Sequence, residues 1–129
     1  MLAVDTNVLV RFFTHDQPRQ AARAIALMGS GEVWVSKTVL LETEWVLRSV
    51  YEQAPAKICE QLRRLAGMDN VQLEEPLVAA QALDWFANGL DFADALHLAS
   101  SSKAERFVTF DEKLARQAKK RTTIEVTAI

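Results

Sequence analysis

Ala3-Val4-Asp5-Thr6-Asn7-Val8-Leu9-Val10-Arg11-Phe12 opens the chain with an apolar run that stops on an aspartate. Met1–Val4 reads as a β-strand that ends at Asp5. A second run, Phe107–Phe110, stops in the same way on Asp111. Val33–Val35 follows the turn signal Gly29-Ser30-Gly31, and Ile124–Val126 lies near the end of the sequence. Val71–Leu73 is a fifth, less sharply bounded run. Helical patterns lie between these runs: Pro18–Met28, Val39–Tyr51, Ala56–Ala66, Pro76–Ala87, Phe92–Ser102 and the basic Glu112–Lys120. Proline suits a first helical turn, as at Pro18 and Pro76. Strands alternating with helices require crossover connections and parallel pairing. The expected fold is therefore α/β, a three-layer α/β/α sandwich with a short, mainly parallel central sheet. Ligands of such sheets bind beyond the carboxyl ends of the strands, where Asp5 and Asp111 are expected to share one edge.

Composition sets the outer bounds. The chain has 129 residues, half of them apolar and a quarter charged, which suits one globular domain over residues 1–129 and excludes a disordered or collagen-like chain. The single cysteine, Cys59, cannot form an internal disulfide and reads as a small buried hydrophobe. No apolar run approaches the ~20 residues that cross a bilayer, and no basic segment precedes an apolar one at the N-terminus. A cytoplasmic protein with no membrane partner is expected. The net charge of −2 conceals an uneven distribution. Lys103, Arg106, Lys113, Arg116, Lys119, Lys120 and Arg121 stand against Glu105, Asp111 and Glu112 in one stretch, a basic segment that can serve phosphates or simply solvate a helix face.

The acids carry the chemistry. Glu42 stands in Val39-Leu40-Leu41-Glu42-Thr43-Glu44-Trp45, and Asp94 in Asp91-Phe92-Ala93-Asp94-Ala95-Leu96-His97. Both segments are apolar and helical, and Asp91 lies one turn before Asp94. Each acid also has a plainer reading: Asp5, Asp91 and Asp111 as helix caps, Glu42 on a solvated face as Glu44 is expected to be. Carboxylates that converge without cations repel one another and cannot all ionise. A divalent ion removes that conflict, and all-oxygen ligation suits Mg²⁺, with Mn²⁺ as a substitute. No nucleophile elbow or phosphate-cradling glycine motif is present. His97 in so apolar a helix reads as a packed core residue, and His15 as a loop residue. Trp34 is expected in the core, while Trp45 with Val46 and Leu47 could line a self-association surface.

With these residues in view, the chain resembles PIN-domain proteins, and in length the VapC-type toxins, ribonucleases of type II toxin–antitoxin pairs. The run from Ala3 to Phe12 resembles their first motif and Leu41–Arg48 their second. Asp91–Ala99 resembles the third and Val108–Ala115 the fourth. The resemblance implies a catalytic, metal-binding set of Asp5, Glu42, Asp94 and Asp111. Asp91 would be a further ligand or a cap, and Thr6, Asn7 and Thr109 would support the site by hydrogen bonds. It further implies hydrolysis of RNA phosphodiesters, an antitoxin protein on the helices at 18–28 and 39–51, and a homodimer or higher homo-oligomer. Arg11, Lys113 and Arg116 are candidate phosphate contacts. The alternatives are a non-catalytic interaction module with the same fold, or a metal nuclease of RNA processing or DNA without an antitoxin.

Overall fold

A computed structural model describes all residues from Met1 to Ile129. They form two compact units, Met1–Pro76 and Leu77–Ile129. The first holds β1 (Leu2–Ala3), α1 (Thr6–Thr14), α2 (Pro18–Met28), β2 (Val33–Val35), α3 (Lys37–Ser49), α4 (Pro55–Ala66) and β3 (Val71–Leu73). The second holds α5 (Pro76–Ala87) from its second residue on, α6 (Phe92–Ala99), β4 (Phe107–Thr109), α7 (Glu112–Arg121) and β5 (Val126–Ala128).

The α/β class and the parallel pairing are as expected. In the first unit the strand order is β1-β2-β3, all parallel, with Leu2 opposite Val33 and Val33 opposite Val71. In the second, β4 pairs with β5 in parallel, Thr109 opposite Ala128. Asp5 and Asp111 thus follow strands of two different hydrogen-bonded ladders, so the shared sheet edge expected for them is not formed by pairing. β5 lies two residues later than its expected position, because Thr122 caps the end of α7 and its hydroxyl accepts from the Ile124 N–H at 3.2 Å.

Local chemistry sets the helix ends. α1 is a helix that the sequence reading passed over; it begins at Asp5, whose Oδ1 accepts from the Thr6 N–H at 2.8 Å. It stops where His15 adopts a left-handed conformation at φ 58° and donates its N–H to the Arg11 carbonyl. Prolines open α2, α4 and α5, as their fixed φ permits. Ser36 Oγ caps α3 by accepting from the Val39 N–H at 3.2 Å. The Glu74 carboxylate, just past β3, accepts from the Lys37 N–H at 2.9 Å and ties the start of α3 to that strand. Asn70 donates from its amide to the carbonyls of Met28 and Gly31, fastening the turn ahead of β2.

The first unit closes over Leu9, Val10, Leu40, Leu47, Ile58, Leu62 and Leu65, with α1 packed on α2 and α3, and α3 on α4. The second buries Leu83, Phe92, Leu98 and Leu114, with Phe86 and Phe92 edge to face at 5.2 Å. Three expectations need correction. Glu44 is buried, not solvated: α3 turns it inward, where Arg48 Nε reaches its Oε2 at 2.8 Å and offsets its desolvation. Trp34 is half-buried rather than core, since the middle residue of β2 has the opposite face from Val33 and Val35. His97 is exposed, because Leu96 and Leu98 take the buried positions on either side of it. Cys59 is buried, as its amphipathic helix requires.

Leu47 is wholly buried whereas Trp45, two residues earlier on α3, is 53% exposed. Leu47→Ala is expected to lower unfolding free energy by about 2–5 kcal/mol. Trp45→Ala should cost less than about 1 kcal/mol. Urea denaturation of the two variants checks this ordering.

Candidate metal-binding carboxylates

The amino-terminal aspartate and the second-motif glutamate meet through one threonine. Thr6 is buried at the start of α1, and its N–H donates to Asp5 while its hydroxyl donates to Glu42 Oε1. Asp5 and Glu42 themselves are exposed. Thr6 therefore fixes both carboxylates by one oxygen each and leaves the other oxygen of each pair open. Asn7 lines a groove of about 410 Å³ with Arg11, Gln20 and Arg23 between α1 and α2.

The second unit holds the other acids. Asp91 caps α6, its Oδ2 accepting from the Asp94 N–H at 3.2 Å. Asp111 caps α7, its Oδ1 accepting from the Leu114 N–H at 3.0 Å, and its own N–H donates to Thr109 Oγ1 at 3.0 Å. Thr109 thus shapes the turn that carries Asp111. Asp94 is half-buried, and its carboxyl is held above the usual carboxylate range, first by desolvation and then by the charges of Asp91 and Asp111. His97, one turn further along α6, opposes this weakly. Asp91 and Asp111 thus both act on the Asp94 carboxyl.

Capping does not use up these carboxylates. Asp5, Asp91 and Asp111 each use a single oxygen on a backbone N–H. The donors in each unit are hard carboxylate oxygens, the type that divalent cations take. No three of the His, Cys, Asp and Glu side chains stand gathered as a ready-made cage. Mg²⁺ does not call for one: it keeps several waters and takes one or two carboxylates together with substrate phosphates.

The basic candidates divide. Arg11 is bound into a network: Nε donates to Gln20 at 2.7 Å, and Nη1 donates to the Tyr51 hydroxyl at 2.9 Å and to Asp16 at 3.2 Å. Tyr51 in turn donates to Asp16 at 2.6 Å. The Tyr51 hydrogen bond, against desolvation and aided by the Thr14 hydrogen bond and the Arg11 charge, holds the Asp16 carboxyl below its ordinary range. Arg11 thereby joins the end of α1 to α2 and to the residue just past α3. Lys113 and Arg116 are exposed on α7 and engaged by no acid. Sequence reasoning passed over Phe110, whose ring is exposed immediately before Asp111; the apolar alternation Val108-Thr109-Phe110 was the available signal. No helix is long and apolar enough to cross a membrane.

Compared with known families, the chain matches the PIN domain over residues 2–120, a stretch that runs through both compact units. No curated protein matches it.

The raised Asp94 carboxyl has a consequence for stability. The folded chain holds that proton to higher pH than the unfolded chain does. The resulting stabilisation is complete below the ordinary carboxylate range and is lost as pH rises through the raised folded value. Above that value the chain carries an ionised Asp94 that burial and the charges of Asp91 and Asp111 disfavour. Asp94→Asn is expected to stabilise the metal-free chain above that value and to bring no such gain in acid. Urea denaturation of both proteins across this range measures the difference, and an equal effect at every pH would contradict the assignment.

Proposed function

The chain belongs to the PIN-domain family, generally a metal-dependent nuclease fold, and on that premise we propose that it is a Mg²⁺-dependent endoribonuclease, the toxin of a VapBC-type toxin–antitoxin pair. In this reading residues 1–129 act as one PIN domain. Asp5, Glu42, Asp94 and Asp111 hold the cation, with Mn²⁺ as a substitute and Asp91 as a further ligand or a cap alone. The observation that supports it best is the Asp94 carboxyl, pushed up by burial and by Asp91 and Asp111. A catalytic cation is the charge this arrangement lacks.

The reaction is hydrolysis. A water oxygen bonds to phosphorus, the bond from phosphorus to the leaving ribose oxygen breaks, and that oxygen takes up a proton. A divalent cation, when bound, lowers the pKa of water and stabilises charge on the leaving oxygen. The chain's own residues position and neutralise. Thr6 holds Asp5 and Glu42 in fixed orientation. Thr109 holds the backbone of Asp111 in the turn that presents its carboxylate. Lys113 and Arg116 are exposed cations on the helix that Asp111 caps, suited to phosphates flanking the cleaved one. Arg11 serves through its network at the end of α1, beside the groove that Asn7 lines.

The partners follow from the same reading: RNA as substrate, an antitoxin protein on α2 and α3, and a second copy of the chain in a homodimer or higher oligomer, all in the cytoplasm. The exposed Trp45 and Val50 on and after α3, and Ile25 on α2, support an apolar partner there.

Purified, antitoxin-free protein is expected to cleave RNA with Mg²⁺ or Mn²⁺ and to stop on addition of EDTA. Asp5→Asn, which keeps a capping side chain, should lower the rate by about 100-fold or more. Thr6→Val should lower it by about 10- to 100-fold, as loss of a ligand-orienting hydrogen bond does. Gel-based cleavage assays over a broad RNA panel, with single- and double-stranded DNA beside it, decide the matter. Cleavage of DNA alone would replace RNA as the substrate, and a folded protein that cleaves neither would favour an interaction module.

A further inference from the structure

We propose that Phe110 is a stacking platform for an unpaired nucleobase of the RNA, with the basic outer face of α7 holding the adjoining phosphates. This rests on the ribonuclease reading above and assigns to that site a way of selecting single-stranded substrate.

The Phe110 ring is 83% exposed, and it takes part in neither of the chain's two ring–ring contacts. Single exposed apolar residues are ordinary; the surroundings of this one set it apart. Its backbone is pinned on both sides. The Thr109 carbonyl accepts from the Ile129 N–H at 2.9 Å, and the Asp111 N–H donates to Thr109 Oγ1. Strand alternation places Val108 on the same outward side, 53% exposed, while Phe107 and Thr109 are half-buried. The ring is thus offered to solvent from a fixed turn, directly before an acid of the proposed catalytic set.

The cations lie on the next element. α7 buries Leu114 and Ala118, which turns Lys113, Arg116, Lys119 and Lys120 outward with the single acid Glu112. None of these four cations is engaged in an ion pair. An aromatic surface beside unpaired cations is the pairing that binds single-stranded nucleic acid: the base stacks and the backbone is neutralised. A second copy of the chain fits this face poorly, since a two-fold contact through Phe110 would bring like-charged helices together. Stacking requires a base freed from a duplex, so single-stranded RNA is the favoured substrate and duplex RNA is disfavoured.

The test uses the full chain without divalent metal, so that binding is read apart from cleavage, and short single-stranded RNAs carrying a fluorescent purine. Matched strands with an abasic site serve as the control. Phe110→Ala is expected to weaken binding of the intact strand by about 5- to 150-fold, the loss that one base–aromatic stack implies. It should leave binding of the abasic strand unchanged. Phe110→Trp should keep the affinity and the quenching of the purine, whereas Phe110→Leu, apolar but without a π-face, should behave as Phe110→Ala. Circular dichroism should show the same melting for all three, because the ring is exposed. The stacking proposal alone is overturned if wild type binds and cleaves RNA while Phe110→Ala binds both strands as wild type does. It is overturned as well if Phe110→Ala changes only the sedimentation of the chain, which would make this face a protein contact. If wild type binds no RNA and cleaves none with Mg²⁺, the ribonuclease reading fails first.

Discussion

Thr6 is the point on which the first unit's chemistry turns. It is buried at the head of α1, and it donates twice, from its backbone to Asp5 and from its hydroxyl to Glu42. A buried hydroxyl must find an acceptor, and Thr6 finds it in the Glu42 carboxylate of α3. The packing of α1 on α3 therefore fixes where Glu42 lies. Two acids that would otherwise repel are held in register by the group between them. That constraint reaches outward: α1 must begin at residue 6, so β1 must be short, and Asp5 must be the residue that bridges strand and helix.

The second unit solves a related problem without a bridging donor. Asp91 and Asp111 are each anchored by capping a helix, but Asp94 accepts from no donor and stands half-buried between their fields. The outcome is a carboxyl that resists ionisation. The two units thus differ in kind: one has its acids stabilised by hydrogen bonds, the other has an acid left under electrostatic tension.

Much of this was legible in the sequence. The alternation of short apolar runs and helical patterns identified the α/β class, and Gly29-Ser30-Gly31 placed β2. The aspartates after strands marked the starts of α1 and α7, which they cap. What the sequence hid had physical causes. α1 was obscured because Val8, Leu9, Val10, Phe12 and Phe13, interrupted only by Arg11, follow the β1 run so closely that they read as readily as its continuation. Glu44 was misread because burial of an acid depends on Arg48 reaching it from the next turn, and that pairing looks like any surface pair in sequence. The separation of the parallel strands into two ladders left no local trace, since pairing partners lie far apart along the chain.

The three capping aspartates also say something about descent. Asparagine caps a helix as well as aspartate does, so a single change at Asp5, Asp91 or Asp111 removes a negative charge and leaves the helix start intact. On the nuclease reading proposed above, loss of catalysis would thereby be uncoupled from loss of the fold. A lineage carrying this architecture would then have an open path from nuclease to inert binding scaffold, crossed in one substitution and without an unfolded ancestor on the way.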